Sequence, residues 1–254
     1  RFEIYPDGTK YIHWFQDERV VRKKEADSDK TGVPPRHLRQ ETYSDGVDYL
    51  LLWDEDIKLH LQKLTFPDAY QQRYAWDEEN KTHLHEFIYA DKTQWQQFWD
   101  EKVKLHFKKY TFADSALFSY TWDEENKTHT EQWTYVDATA RTQFYDEQNK
   151  IHRETWTWAD GYSTSYEWLE NDKTHTLTEQ FADGTVKRYL FDEANDKHLD
   201  EVRYSSGTRM AYQYNGPHRH EVQYADGSHL EYDLDAHRLS GTIVGDVELE
   251  VQGN

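Results

Sequence analysis

The chain has 254 residues, a net charge of −19 and no cysteine. The acidic excess argues against nucleic acid or an anionic membrane as the ligand, because both need basic surface, and the lack of cysteine excludes disulfides and thiolate metal sites. Hydrophobic residues make up only 36% of the chain, yet aromatic residues make up 16%, a content that argues against a disordered polymer. No apolar run is long enough to predict a transmembrane helix. The compartment stays open.

The first predicted element is a hairpin turn at Tyr5-Pro6-Asp7-Gly8-Thr9. Proline suits the first corner of a type I turn, aspartate suits the second, and glycine suits the left-handed position that follows. This turn predicts a three-residue loop that pairs Tyr5 with Thr9. Side chains on one face of the hairpin would then be mostly aromatic.

Residues 19–36 interrupt the pattern and form the main basic cluster of the chain. They contain Arg22-Lys23-Lys24 and Val33-Pro34-Pro35. We interpret this segment as an inserted basic, proline-containing loop.

From His37 onward, histidine recurs at intervals of 23 residues. The histidines of this series are His37, His60, His83, His106, His129, His152, His175 and His198. An aromatic residue follows each histidine six positions later and another follows sixteen positions later. A fixed period of this size indicates a tandem-repeat protein, in which one unit cannot bury its apolar side alone.

Each repeat is predicted to be a β-hairpin. In the unit that starts at His106, two alternating stretches are separated by turn residues, which is typical of strands. The alternation places His106, Tyr110 and Phe112 on one face together with Tyr120 and Trp122. The opposite face holds Phe107 and, over the repeats, mostly Thr, Gln, Lys and Glu. The predicted fold class is therefore all-β, with tandem 23-residue hairpins forming an elongated, antiparallel, single-layer twisted sheet. About ten hairpins would give a sheet of roughly 95 Å. Because open sheets of this size often curl, the alternative is a sheet curled into a shell or large barrel.

The repeats shorten toward the end of the chain, where His218 and His237 follow at intervals of 20 and 19 residues. Residues 241–254 alternate apolar and acidic side chains, which favours a C-terminal capping strand whose charges block edge pairing. We predict one repeat domain over residues 1–254.

The repeat resembles three families of hairpin arrays. Tyr120-Thr121-Trp122-Asp123, followed by Asn126-Lys127 and a turn containing aspartate, resembles the YD (Rhs) repeat, although Trp often replaces its second Tyr and Asn-Lys replaces Gly-Arg. The spacing between aromatic residue and turn is more weakly similar to MORN repeats, whose core glycines are absent here. Tyr5-Pro6-Asp7-Gly8-Thr9 resembles the single-layer sheet of the centriolar G-box. The resemblance implies a non-catalytic scaffold, shell or binding surface.

The histidines and the acidic turns do not indicate a cofactor or a metal. Equivalent residues two strands apart lie roughly 9.6 Å from each other, whereas ligands of one zinc ion each lie about 2 Å from it. We interpret each histidine as a packed side chain that donates to a backbone carbonyl or an aspartate. Carboxylate pairs recur at every long turn, whereas an active site is singular, so we predict that the protein is not an enzyme.

The aromatic stripes are the predicted binding surface. The candidate residues are Trp53, Trp76, Trp99, Trp122, Tyr145, Trp168, Phe191 and Tyr214, together with Tyr89, Phe112, Tyr135 and Trp158. The first hypothesis is a structural or interaction protein whose aromatic face packs on a protein partner or on a second copy of itself. One alternative is a polysaccharide-binding module that stacks sugars on Trp53, Trp76, Trp99 and Trp122. Another is a shell or barrel that encloses a hydrophobic ligand or cargo.

Overall fold

The computed structural model of the chain describes residues 2–15, 36–55, 57–214, 218–244 and 247–252. The inserted segment at 19–36 therefore lies outside the described residues except for its last position. No helix in the described ranges is long and apolar enough to cross a membrane. The contacts divide the chain into two units, which are unit 1 (Arg1–Asn126) and unit 2 (Lys127–Asn254).

Unit 1 is an antiparallel meander. Its strands are β1 (Phe2–Ile4), β2 (Lys10–Phe15), β3 (Arg36–Thr42), β4 (Asp48–Asp54), β5 (Leu59–Thr65), β6 (Gln71–Asp77), β7 (Thr82–Ile88), β8 (Gln94–Asp100), β9 (Leu105–Thr111) and β10 (Leu117–Asp123). Each strand pairs with the next one along the chain.

Unit 2 repeats the same arrangement. Its strands are β11 (Thr128–Thr134), β12 (Ala140–Asp146), β13 (Ile151–Thr157), β14 (Ser163–Leu169), β15 (Thr174–Gln180), β16 (Val186–Asp192), β17 (Lys197–Arg203), β18 (Arg209–Tyr214), β19 (Arg219–Gln223), β20 (His229–Asp233), β21 (Arg238–Ile243) and β22 (Val247–Gln252). These strands also pair in chain order.

Each unit is an open sheet of one layer. Among the described residues, the strands of a unit contact only their neighbours in sequence, so the first and last strands of a unit do not meet. The predicted antiparallel, single-layer sheet of hairpins is confirmed. The alternative of a sheet closed into a shell or barrel is wrong for both units, because the hairpins add side by side without bringing the two edges together.

The sheets have no hydrophobic core in the part of the chain that the structure describes. Ala211 is the single hydrophobic residue that is buried there, and the other buried residues are the polar Glu41, Asp54, Thr139 and Ser228. Large side chains are instead half-covered by their neighbours on the same face. Cross-strand pairs, each contributing roughly 0.2–1 kcal/mol, therefore take the place of a core as the main source of stability.

The register confirms the predicted faces in the repeat that was used to derive them. Trp122 lies opposite His106, Tyr120 opposite Lys108 and Phe118 opposite Tyr110. We call this side of the sheet the aromatic face and the other side the second face. The prediction of a mostly polar second face was incomplete, because in unit 1 this face also carries an apolar stripe that is described below.

The short turns that join the two strands of each hairpin are three-residue loops, as predicted for the first one. The amide of Tyr5 donates to the carbonyl of Thr9 at 2.8 Å, and the amide of Gly8 donates to the carbonyl of Tyr5 at 3.0 Å. The carboxylate of Asp7 accepts the amide of Thr9 at 2.9 Å. In an equivalent turn, the backbone amide of Thr139 donates to Asp137 and lowers the pKa of that carboxyl group below its ordinary value.

The third residue of each short loop adopts a left-handed conformation, even where it is not glycine. Ala138 has φ of 67° and Ser115 has φ of 74°, close to the 86° of Gly161. This conformation costs an L-residue roughly 1–2 kcal/mol, which is more than the extra entropy that glycine loses on folding.

Ala138→Gly is therefore expected to raise the free energy of unfolding by about 0.5 kcal/mol, measured by urea denaturation. Gly161→Ala is the matched control and should destabilise the protein, since an added Cβ there meets only Ala182 at an ordinary 3.6 Å and the cost is conformational. Equal effects of both substitutions would contradict this assignment of the strain.

Candidate binding surface

A ladder of alternating imidazole and aromatic rings runs along the aromatic face, next to the long turns that connect the hairpins. The ring of His60 lies between Trp53 and Trp76, with centroid distances of 4.7 and 4.8 Å. These distances match the spacing of about 4.8 Å between neighbouring strands. The rings therefore stack along the sheet like the strands that carry them.

The same stacking recurs in unit 2. His152 lies between Tyr145 at 4.4 Å and Trp168 at 4.7 Å, and His198 lies between Phe191 at 4.3 Å and Tyr214 at 4.4 Å. The predicted aromatic residues that follow each repeat histidine by sixteen positions are thus all placed opposite an imidazole. The 23-residue period is the sequence signature of this ladder.

The imidazoles of the ladder are held by glutamates of the next long turn. The Nε2 atoms of His60, His83 and His129 lie 2.6–2.7 Å from a glutamate Oε1. The full set of pairs is His37 with Glu55, His60 with Glu78, His83 with Glu101, His106 with Glu124, His129 with Glu147, His152 with Glu170 and His175 with Glu193. The prediction of a backbone carbonyl or an aspartate as the partner is wrong for these histidines, because the long turn directs a glutamate at each ring.

The backbone of the long turns places these glutamates. In the turn after β6, Asp77 accepts both the backbone amide and the side-chain amide of Asn80 at 2.8 Å. The amide of Glu101 then donates to the carbonyl of Lys81 in the preceding turn at 2.9 Å. Repetition of this bond fixes each long turn against the one before it and brings Glu101 to His83. No group of three metal-ligating side chains forms among the described residues.

The predicted surface residues differ in accessibility. Trp76 and Trp168 have imidazoles against both ring faces, so they present mainly ring edges to solvent. By contrast, Tyr89, which lies beside a short turn, is 45% exposed. Trp53, which stacks on His60 in the ladder, is 41% exposed. The exposed members of the row beside the short turns are Tyr5, Tyr43, Tyr89, Phe112, Tyr135, Tyr204 and Tyr224.

A shallow aromatic groove lies on the aromatic face of unit 1, between this row and the middle of the sheet. It is lined by Phe87, Tyr89, Thr93, Trp95 and Tyr110. The rings of Phe87 and Trp95 are 4.9 Å apart, and Trp95 is 6.1 Å from Tyr110. Of this set only Tyr89 was predicted as a binding residue, although Tyr110 was placed on the aromatic face, because the residue types at the other positions vary between repeats and do not form a periodic stripe. Their shared face follows from strict alternation along β7, β8 and β9, which could have identified them.

His85 lies at the inner end of this aromatic groove. Its ring is 4.4 Å from Phe87 and 5.7 Å from Trp95, and its Nε2 is 2.9 Å from the side-chain amide of Gln72. Burial lowers the pKa of His85 below its ordinary value, which favours the neutral imidazole.

Acidification is therefore expected to remove stability through His85. Since the folded-state pKa is depressed, the unfolded chain takes up the proton first, and the contribution present above about pH 6.5 is lost as the pH falls toward the folded-state pKa. His85→Gln should show a smaller loss of unfolding free energy between pH 7.5 and pH 5 than the unsubstituted chain, measured by urea denaturation at each pH. Identical losses would refute this role of His85.

No protein-family model matches the chain, and no curated protein matches it. Among solved structures, the chain is similar to the TCP10 domain of Danio rerio CPAP in complex with a STIL peptide, with 16% identity over 100% of this chain and 99% of that chain and a TM-score of 0.31. It is also similar to the Drosophila melanogaster SAS-4 TCP domain in complex with a proline-rich motif of Ana2, with 15% identity over 67% and 90% of the two chains and a TM-score of 0.29. A third match is the CPAP G-box domain, with 12% identity over 100% and 99% and a TM-score of 0.20. The matched domains include the G-box, which was one of the sequence resemblances, whereas the YD and MORN resemblances are not confirmed.

Proposed function

We propose that the chain is a non-catalytic protein-interaction module, and that the aromatic groove of unit 1 binds an extended segment of a protein partner. The observation that carries this proposal is a row of half-exposed aromatic rings on a sheet that has no second layer of its own. Aromatic side chains of this kind supply large contact area at low cost in conformational entropy.

The chemistry around the groove suits an uncharged stretch of polypeptide. On the aromatic face of β6, β7 and β8, the strand positions hold aromatic, histidine and glutamine side chains and no carboxylate. Gln97, which is exposed, and Gln72 provide amide donors and acceptors within this face. Extended peptides use main-chain hydrogen bonds for affinity and pockets for side-chain specificity. On this face the side-chain amides of the glutamines can hydrogen-bond the main chain of a peptide, and the aromatic groove can accept its side chains.

The same face could instead contact a second copy of the chain or a polysaccharide. Stacked sugars need open ring faces, and the ladder covers both faces of Trp76 and Trp168. We therefore assign the groove to a peptide and keep the other two ligands as outcomes of the test.

The test is site-specific photocrosslinking from position 89, with the chain carrying a photoreactive phenylalanine in place of Tyr89. The partner crosslinked in cells of the source organism should be lost when Phe87→Glu and Trp95→Thr are introduced together. These substitutions copy Glu41 and Thr164, which occupy the same repeat positions elsewhere, so the fold should tolerate them. Trp156→Leu in unit 2, which copies Leu64, is the matched control and should leave the crosslink unchanged.

We call the chain with Phe87→Glu and Trp95→Thr the groove variant. If it crosslinked the partner as efficiently as the unsubstituted groove, the proposal would be contradicted. Crosslinks only between two copies of the chain would favour self-association. Saturable quenching of tryptophan fluorescence by a glucan or chitin, abolished by the groove variant, would favour the polysaccharide alternative.

A further inference from the structure

An apolar stripe crosses the second face of unit 1. Its large members are Leu38, Leu52, Leu61, Leu84, Phe98 and Phe107, each directly opposite the next across neighbouring strands except where Ala75 lies between Leu61 and Leu84. We call these six residues the leucine stripe. All six are half-buried by one another and by flanking side chains, and no other described element lies over them.

The fold does not require apolar side chains at these positions. In unit 2 the positions equivalent to Leu61, Leu84 and Phe107 are occupied by polar residues, which are Thr130, Arg153 and Thr176. Strands β11, β13 and β15 nevertheless pair in the same register as their counterparts in unit 1. Unit 2 keeps Phe144, Leu190 and Leu199 at equivalent positions but has no continuous apolar row. A continuous row that only one half of a repeat protein has points to a role outside folding.

Two cations face each other beside the stripe. Lys63 on β5 is directly opposite Arg73 on β6, and like charges in this arrangement destabilise a sheet. Arg73 approaches Glu86 only to 3.9 Å, while Glu86 accepts a shorter hydrogen bond of 2.6 Å from Gln96. Lys63 has no acidic partner among the described residues. The pair therefore retains positive charge that could bind a carboxylate.

These cations and the stripe border one shallow groove on the second face. Its lining comprises Leu61, Lys63, Gln71, Arg73, Glu86 and Ile88. The apolar part can accept an aliphatic side chain, and the unbalanced charge selects an anion next to it. The chain as a whole has a net charge of −19. A local excess of positive charge is therefore a place where an acidic partner is attracted, whereas a basic partner is repelled there.

We propose that the second face of unit 1 is a docking surface for an acidic, amphipathic segment of another protein. Its apolar side chains lie on the leucine stripe and one carboxylate lies between Lys63 and Arg73. This surface is on the opposite side of the sheet from the aromatic groove, so the two can be occupied independently.

The experiment measures binding of two fluorescent synthetic peptides, one alternating leucine with glutamate and one alternating leucine with lysine. The acidic peptide should bind at least about tenfold more tightly than the basic one. Lys63→Glu with Arg73→Glu should abolish the preference, and Leu61→Thr with Leu84→Thr should weaken the acidic peptide about tenfold or more. The threonine substitutions copy Thr130 and Thr176, so the fold is maintained, and far-UV circular dichroism verifies it. Phe87→Glu with Trp95→Thr, on the aromatic face, should change neither result.

Three outcomes overturn the proposal. In the first, the acidic peptide does not bind the unsubstituted chain. In the second, it binds the charge-reversal and threonine variants as tightly as the unsubstituted chain. In the third, sedimentation shows a dimer that Leu61→Thr with Leu84→Thr converts to a monomer, which assigns the stripe to a second copy. The peptide assay reports on the second face, and the crosslinking test reports on the aromatic groove. Failure of this proposal is therefore distinguishable from failure of the proposed function.

Discussion

Trp76→Ala is expected to lower the free energy of unfolding by about 2 kcal/mol. Truncation of a buried tryptophan costs roughly 3–5 kcal/mol, and this ring is only half-buried. The loss has two parts, because the ring stacks on His60 at 4.8 Å and on His83 at 5.7 Å with an angle of 8° between planes. Without it, two imidazoles and their glutamate partners lose the surface that orients them. Urea denaturation followed by circular dichroism measures the effect.

Trp76→Phe is the matched control for stacking. Phenylalanine already occupies the equivalent position at Phe191, between two histidines. The indole Nε1 of Trp76 is also buried with no hydrogen-bond partner among the described residues, so removing it relieves part of the cost of lost area. We expect a loss below about 1 kcal/mol. If the alanine and phenylalanine variants were equally unstable, the ladder would not stabilise the sheet through stacking.

Gly241→Ala is expected to remove the pairing of β21 with β20. A Cβ at position 241 would lie 2.2 Å from the carbonyl oxygen of His229 and 2.9 Å from the Cα of Leu230. Both are backbone atoms, so the strands must separate for the methyl group to fit. We expect local stability to fall by about 3 kcal/mol, at the upper end of overpacking effects.

Because each strand contacts only its neighbours, the damage should remain local. Native-state hydrogen exchange should show lost protection in β20 and β21 and unchanged protection in β13 and β14. Gly8→Ala provides the contrast, since no atom lies within 4 Å of its Cβ position although its φ is 90°. That substitution should cost only about 1 kcal/mol. Loss of protection throughout unit 2 would show that the strands do not behave as nearest-neighbour elements.

The sequence predicted the hairpins well because the information is local and periodic. Tyr5-Pro6-Asp7-Gly8-Thr9 specifies its own loop, and alternation in the repeat of His106 specifies which side chains share a face. The 23-residue period then carries that register along the chain. The predicted number of strands left a single layer and a curled shell as the two alternatives, of which the single layer was preferred.

The parts that the sequence did not predict depend on contacts between repeats. The partner of His83 is Glu101, eighteen residues later, and the pairing follows from the bond between the amide of Glu101 and the carbonyl of Lys81. Closure into a shell was left open because it depends on how sheet twist accumulates, which periodicity does not determine. The leucine stripe was missed because the second face was assigned from the repeat of His106, in which Phe107 is the single member of the stripe.

The groove was missed for a different reason. Trp95 and Tyr110 occupy positions whose residue types change from repeat to repeat, so a search for periodic stripes passes over them. Such irregular positions on a regular scaffold are where specific recognition can arise, because the scaffold itself does not depend on them.

The sheet of unit 2 has both faces open to solvent, and single-cysteine labelling can measure this on each face separately. The chain has no cysteine, so one can be placed on each face of a central strand, using Ser165→Cys on the second face of β14 and Tyr166→Cys on the aromatic face. Both positions are exposed and adjacent in sequence, whereas in a two-layer fold alternate residues of a central strand are buried. We expect both native-state variants to react with a maleimide at rates within about tenfold of the unfolded chain. Protection of one position by a hundredfold or more, with the other reactive, would contradict the single-layer account.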